Sequence, residues 1–189
     1  HSGVYYIQGT NMFLLKEGVI ISKITNKPTK TDETTLALRG LCAKRASTIC
    51  YMIQQAKEHS VQDGAAFARE AITKYGEDIG QVVKSKMKDP DDLLEFSQYF
   101  GAGADRDIYE MEVVAQDEDR FYLDFHYCPY VAEWQKMGRD PEEMAELCDI
   151  AMEGDRAVGA SFDAFEFTLG ETIAQGCPAC QIRFDRVKK

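Results

Sequence analysis

The sequence predicts an α+β fold: N-terminal helices packed on a mostly antiparallel four-stranded sheet with inserted helices. Three observations predict it. The first hundred residues carry apolar side chains at helical spacing. After Gly101–Ala104 (GAGA) the pattern changes to alternation with a period of two, in Asp107–Ala115 and again from Arg120. Short strand-like runs then alternate with segments opened by proline, which suits the first turn of a helix.

The elements follow in order. Val4–Ser22 mixes aromatic and aliphatic residues without a clean period and reads as a short strand or helix docked on the body or on a partner subunit. Thr25–Thr31 is a loop by composition, and Thr31 or Asp32 caps a long helix with Leu38, Leu41, Cys42, Arg45, Ile49, Met52, Ile53 and Ala56 on one face. Cys42 lies on that stripe and Cys50 at its margin, so both read as packing residues, remote from any chemistry.

Ser60 opens a second helix, interrupted in character by Gly76 and Gly80, and Asp91–Phe100 forms a third. The 101–104 segment marks the clearest internal boundary and lacks a phosphate-loop lysine. A hairpin follows, Ile108–Val114 against Phe121–Tyr127, turning at Gln116–Asp119. Pro129–Met137 and Pro141–Met152 are helices, Ser161–Thr168 is a third strand and Cys180–Arg186 a fourth. Residues 1–189 read as a single domain, with a mainly helical half (1–100) and a sheet-containing half (105–187) carrying the cysteine motifs.

Composition narrows the function. A 44% hydrophobic and 29% charged chain of 189 residues is ordinary for a globular protein. Its net charge of -10 argues against nucleic acid and anionic membrane as partners, while a single local arginine still suffices for a small anionic substrate. No apolar run is long enough to span a bilayer and no secretory leader is evident, so the expected location is cytoplasmic. Six cysteines in a chain of this length suit free thiols, a metal set or a catalytic set in a reducing compartment.

The chemistry concentrates in Arg120–Tyr130, RFYLDFHYCPY. Phe121, Leu123, Phe125 and Tyr127 form one face of a strand; Tyr122, Asp124, His126 and Cys128 form the other. Cys128 precedes Pro129 at a strand-to-helix junction, where a thiol is displayed and can act as a nucleophile once deprotonated. His126 lies about 7 Å away along an extended strand. A second reading makes Cys128, Cys148, Cys177 and Cys180 a zinc set, with Cys177–Cys180 as one arm and the other arm incomplete. A third makes Cys177 and Cys180 a redox pair, without the helix N-terminus such pairs use.

The succession Cys128-Pro129-Tyr130, Glu146-Leu147-Cys148-Asp149, Gly176 with Cys180, and Ile182-Arg183-Phe184 resembles the L-2-amino-thiazoline-4-carboxylic acid hydrolase family. It is similar, more distantly, to small-molecule-binding domains of the 4-vinyl reductase type. The resemblance spans about Arg120 to Phe184. Cys177 departs from it, since members read Gly-Asp-Pro-Tyr-Cys where this chain has Gly176-Cys177-Pro178-Ala179-Cys180.

The resemblance implies a hydrolase that opens a small cyclic amidine-like ring without an organic cofactor. Catalysis would fall to Cys128 as nucleophile, with His126 or Asp149 moving the proton and Asp124 orienting the His126 imidazole. Substrate binding would fall to Arg183 as carboxylate anchor, with Tyr130, Cys148, Cys177 and Cys180. A small anionic substrate is the expected partner, and a homo-oligomer is compatible with the sequence. The rivals are a non-catalytic ligand-binding sensor and a protein with a structural cysteine–zinc site.

Overall fold

The computed structural model describes residues 4–6, 12–15, 20–22, 24–61 and 63–187, the first three stretches as backbone alone. Those stretches are strands β1 (Val4–Tyr6), β2 (Met12–Leu15) and β3 (Ile20–Ser22), paired antiparallel in that order. The docking expected of this segment lies outside the described residues.

Helix α1 (Glu33–Glu58) starts where Asp32 accepts a hydrogen bond from the Thr35 amide at 2.9 Å. The expected apolar stripe is divided: Leu41 and Met52 are exposed, whereas Ala46 and Cys50 are buried. Ala46 faces helix α5 (Pro129–Lys136), where its carbonyl accepts from the Trp134 indole at 3.4 Å. Helix α2 (Gly64–Lys86) is continuous through Gly76 and Gly80. These glycines exist for close approach, not for breakage. A Cβ at Gly76 would stand 2.3 Å from the Gly154 carbonyl oxygen, and one at Gly80 2.2 Å from the Ser161 hydroxyl. The partner in that contact is helix α7 (Glu153–Ala160), which is not predicted from the sequence because its own glycines read as breakers. Gly159 of α7 lies so close to Phe167 that a Cβ would come within 2.5 Å of that side chain.

Two short helices follow α2: α3 (Leu93–Phe96), shorter than the expected Asp91–Phe100, and α4 (Asp105–Ile108), where the hairpin was expected to begin. The second sheet contains β4 (Met111–Gln116), β5 (Arg120–Phe125), β6 (Phe165–Leu169) and β7 (Cys180–Arg186), with helix α6 (Pro141–Ala151) between α5 and α7. Its order is β4-β5-β7-β6, antiparallel throughout, so the α+β prediction holds. The hairpin pairs Met111 with Phe125 and Val113 with Leu123 before a register shift between Val113 and Ala115. The third strand begins at Phe165 because Ser161 caps α7 and Phe162 turns inward against Phe96, ring centroids 5.0 Å apart.

Phe121, Leu123, Ile182 and Phe184 on the inner face of the sheet are completely buried, as are Leu93 and Phe96. One contiguous core joins these to Ala46 and Cys50 of α1 and Val83 of α2. Among the described residues, no helix is long and apolar enough to cross a membrane.

Candidate active site

Strand β5 ends at Phe125, earlier than its alternation predicts, and the chain bends before α5. That bend separates residues expected to act together. Pairing continues briefly past the strand, with the Tyr127 amide donating to the Tyr109 carbonyl at 3.1 Å. Tyr127 stays buried beneath the Arg39 guanidinium, 4.1 Å from its ring centroid. Arg39 itself is buried and donates to the carbonyls of Ile108, Lys30 and Asp107 and to the Glu110 carboxylate at 3.0 Å.

Glu110 has a left-handed backbone, φ 49°, and also accepts from the Thr29 and Lys30 amides and the Thr29 hydroxyl. Desolvation pushes its carboxyl upward, but these hydrogen bonds prevail and hold it below the ordinary glutamate value. The cluster fastens the 29–30 loop and the start of α1 to the turn that precedes Cys128.

Cys128 is the N-cap of α5, with Pro129 at the first helical position. Asn26 clamps its peptide groups: the Cys128 amide donates to Asn26 Oδ1 at 2.9 Å, and Asn26 Nδ2 donates to the Cys128 carbonyl at 2.7 Å. The side chain, thereby fixed, faces a cavity of about 470 Å³. Helix α1 contributes Cys42, Arg45 and Ile49 to its wall, and α2 contributes Ile72, Tyr75, Ile79 and Val83. Phe125, Tyr130, Trp134, Cys148, Asp155 and Cys180 line the same cavity. Four expected site residues therefore come together: Cys128, Tyr130, Cys148 and Cys180.

The others stand elsewhere. His126 is exposed and its Nε2 pairs with Glu112 at 2.9 Å, on the opposite face from the cavity thiol. Asp124 and Arg183 face outward from adjacent strands and bind one another at 2.5 Å, and the same guanidinium also donates to the Leu123 carbonyl at 2.7 Å. Arg183 is thus occupied as a cross-strand tie and does not reach the cavity. Asp149 accepts from both Arg69 and Arg156 at 2.6 Å. Burial raises its carboxyl, yet the two guanidiniums win and hold it below the ordinary range, which unfits it for carrying a proton near neutrality. Cys177 is half-buried and does not line the cavity. The zinc reading needs converging donors, and among the described residues no three His, Cys, Asp or Glu side chains are placed to hold a metal.

Among the cavity residues that sequence reasoning missed are four with chemistry to offer, besides Asp105, a further carboxylate on the wall that burial raises. Asp155 on α7 is the most consequential: it faces the cavity but is enclosed by protein, and burial pushes its carboxyl up to about 6. Arg45 faces the same space and lies over the Tyr75 ring, 4.4 Å from its centroid. Cys42 is a cavity residue rather than a remote packing residue, with the Tyr109 hydroxyl as a hydrogen-bonding neighbour. Tyr109 is the fourth, its own hydroxyl pushed well above its usual value by burial. The signal available for Arg45 and Cys42 was two polar side chains inside an apolar helical stripe. Asp155 had none, since its helix was not recognised.

Desolvation also raises the thiols, Cys128 to about 11, Cys148 to about 12, and Cys180 further still. Against that burial, the Val131 and Tyr130 amides at the start of α5 act to lower Cys128. The other two are more deeply buried, Cys180 accepting from the Ile173 amide at 3.3 Å.

The L-2-amino-thiazoline-4-carboxylic acid hydrolase family model matches residues 42–184, which include every cavity-facing residue named above. The chain belongs to this family. Its family is thus one of hydrolases. No curated protein matches the chain. Among solved structures, it is similar to trafficking protein particle complex subunit 3 from Naegleria fowleri, a structure covalently bound to palmitic acid. Identity there is 14% and the TM-score 0.49, over 77% of this chain and 95% of that one.

Proposed function

We propose that the protein is a hydrolase that opens a small, anionic cyclic amidine-like ring such as 2-aminothiazoline-4-carboxylate, with Cys128 as nucleophile. The observation that carries this reading is the shared cavity: Cys128 at a helix N-terminus and Asp155, with its raised carboxyl, line one cavity. Cys128 is preferred over Cys148 and Cys180 because it is the least buried of the three and has amide donors ready to stabilise a thiolate.

The reaction has two steps. Cys128 sulfur attacks the ring carbon between sulfur and nitrogen, and the Asp155 carboxylate takes up the displaced thiol proton. Asp155 returns it to the ring sulfur as the carbon–sulfur bond breaks, leaving the opened substrate attached through an isothiourea to Cys128. Water then adds to that carbon, giving its proton to Asp155, and the bond to Cys128 breaks as the thiol is reformed. The product is the N-carbamoyl amino thiol, so one water is consumed and no redox change occurs. Arg45 suits the substrate carboxylate and Asp155 the amidine, which replaces the role first given to Arg183. No organic cofactor is required by these steps.

A second reading, a non-catalytic ligand-binding module, draws support from burial that raises all four cavity thiols, Cys42, Cys128, Cys148 and Cys180. Turnover separates the two. Wild-type protein should release a free thiol from 2-aminothiazoline-4-carboxylate, detected with a thiol reagent. Cys128→Ala should lower the rate by at least about a thousandfold with unchanged circular dichroism. Normal turnover by that variant would move the chemistry to another residue; no turnover by wild type, with retained binding, would favour the module.

A further inference from the structure

The cavity is larger than a lone ring acid requires and its chemistry is divided along its length. At one end Gly154 packs against Ile72, a Cβ there lying 3.5 Å from that side chain, and Asp155 follows directly in the chain. At the other, Val83 of α2 joins Tyr99 and Phe100 in the cavity wall. Ile72 to Val83 spans about 16 Å of helix at the α-helical rise. Strand β7 offers an independent ruler: Cys180 lines the thiol end, whereas Phe184, in ring contact with Phe100 at 4.9 Å, lies about 13 Å along the strand. The near end therefore carries thiols, Arg45 and the carboxylates Asp155 and Asp105, whereas Val83 and Phe100 make the far end apolar. Gly101, at φ 60°, lets this part of the wall pack directly on the core, since a Cβ there would come within 2.9 Å of Leu123.

We infer that the ligand is amphipathic: an anionic ring at the Cys128–Asp155 end, carrying a hydrocarbon substituent that lies along α2 toward Val83 and Phe100. This rests on the ring-opening reading for its head group only. Two features favour a substituted substrate over the bare ring. A volume of about 470 Å³ falls in the range that encloses a drug-sized ligand, about 300–1,000 Å³. Leaving apolar walls of this length in water when the head group binds would also forgo the main driving force for association.

The test uses 2-aminothiazoline-4-carboxylates bearing unbranched alkyl groups of increasing length at ring carbon 5. With wild-type protein, kcat/KM should rise about fourfold per added methylene before reaching a plateau. Val83→Trp, which fills the far end, should bring that plateau at a shorter chain, and the milder Val83→Leu should do so less, with folding checked by circular dichroism. A kcat/KM that is flat or falls from the methyl compound onward, while the parent ring is hydrolysed, overturns the inference and leaves the ring-opening reading intact. If no member is hydrolysed, the same series is measured by calorimetric binding. Affinity that climbs with chain length upholds the amphipathic ligand although hydrolysis has failed, and flat affinity overturns it.

Discussion

The two faces of the β5–β7 strand pair use similar side chains for opposite ends. On the outer face Asp124 is tied to Arg183, Tyr122 donates to Asp185 at 2.6 Å, and His126 lies beside Glu112. Each polar group there is matched by a neighbour, so the face behaves as a cross-strand lattice. On the inner side the sheet ends in Phe125 and Cys180, and the cavity they border holds thiols, Arg45 and Asp155. The same contrast appears across the junction of α6 and α7, between two aspartates six residues apart. Asp149 is held low by two arginines, whereas Asp155 is desolvated and raised to about 6. Pairing makes a charged group structural, and its lack of a close partner in an enclosed space makes it chemically available.

The largest expected effect tests the fastening behind the cavity. Glu110→Ala should leave Arg39 buried without its carboxylate and destabilise the fold by about 3–5 kcal/mol in urea unfolding. The pH dependence has a definite sign. Because the folded Glu110 carboxyl lies below its ordinary value, its contribution is present above the unfolded glutamate pKa and is lost as pH falls through the depressed folded value. Wild type should therefore lose more stability than the variant between about pH 5 and pH 3. Equal losses would mean that Glu110 is not held low.

The two aspartates offer a sharper comparison. Asp155→Asn should lower turnover by about a hundredfold or more and remove the pH-rate limb near 6, since the amide carries no proton. Its stability effect runs the other way. A carboxyl raised in the folded state contributes stability below the unfolded value and loses it as pH rises through about 6. At pH 8 the asparagine variant should thus be more stable than wild type, by on the order of 1–3 kcal/mol. A variant that is both less stable at pH 8 and fully active would place Asp155 among the structural carboxylates.

Asp149→Asn should give the smallest effect. Its ion pairs are partly exposed, so about 1 kcal/mol of stability should be lost and turnover should stay within about threefold of wild type. A collapse of turnover in this variant, with the fold retained, would restore the proton-carrying role that the sequence suggested for it.

How much was legible follows from which interactions are local. Period-two alternation located β5, and the Cys180–Arg186 strand was read at its actual bounds, because each buries one face against the core. Pro129 and Pro141 marked true helix starts. Helix α7 was hidden because Gly154 and Gly159 look like breakers until their neighbours Gly76 and Phe167 are known, and Gly76 lies far away in sequence. Within the site, the thiols were legible as a spaced set. His126 and Asp124 misled because strand alternation was extended past Phe125, where the bend releases Cys128 from their face. Arg183 misled because sequence cannot say that Asp124 has already claimed it.

The central claim, that Cys128 attacks the ring from the cavity wall, is tested most directly by trapping. Wild-type protein mixed with 2-aminothiazoline-4-carboxylate should be quenched in acid within the first turnover, digested and examined by mass spectrometry. Ring opening by the thiol loses no atoms, so the peptide containing Cys128 should gain the full mass of the substrate, and Cys128→Ala should show no adduct on any peptide. An adduct on Cys148, Cys180 or Cys42 instead, or steady turnover with no adduct on Cys128 at any quench time, would contradict the account.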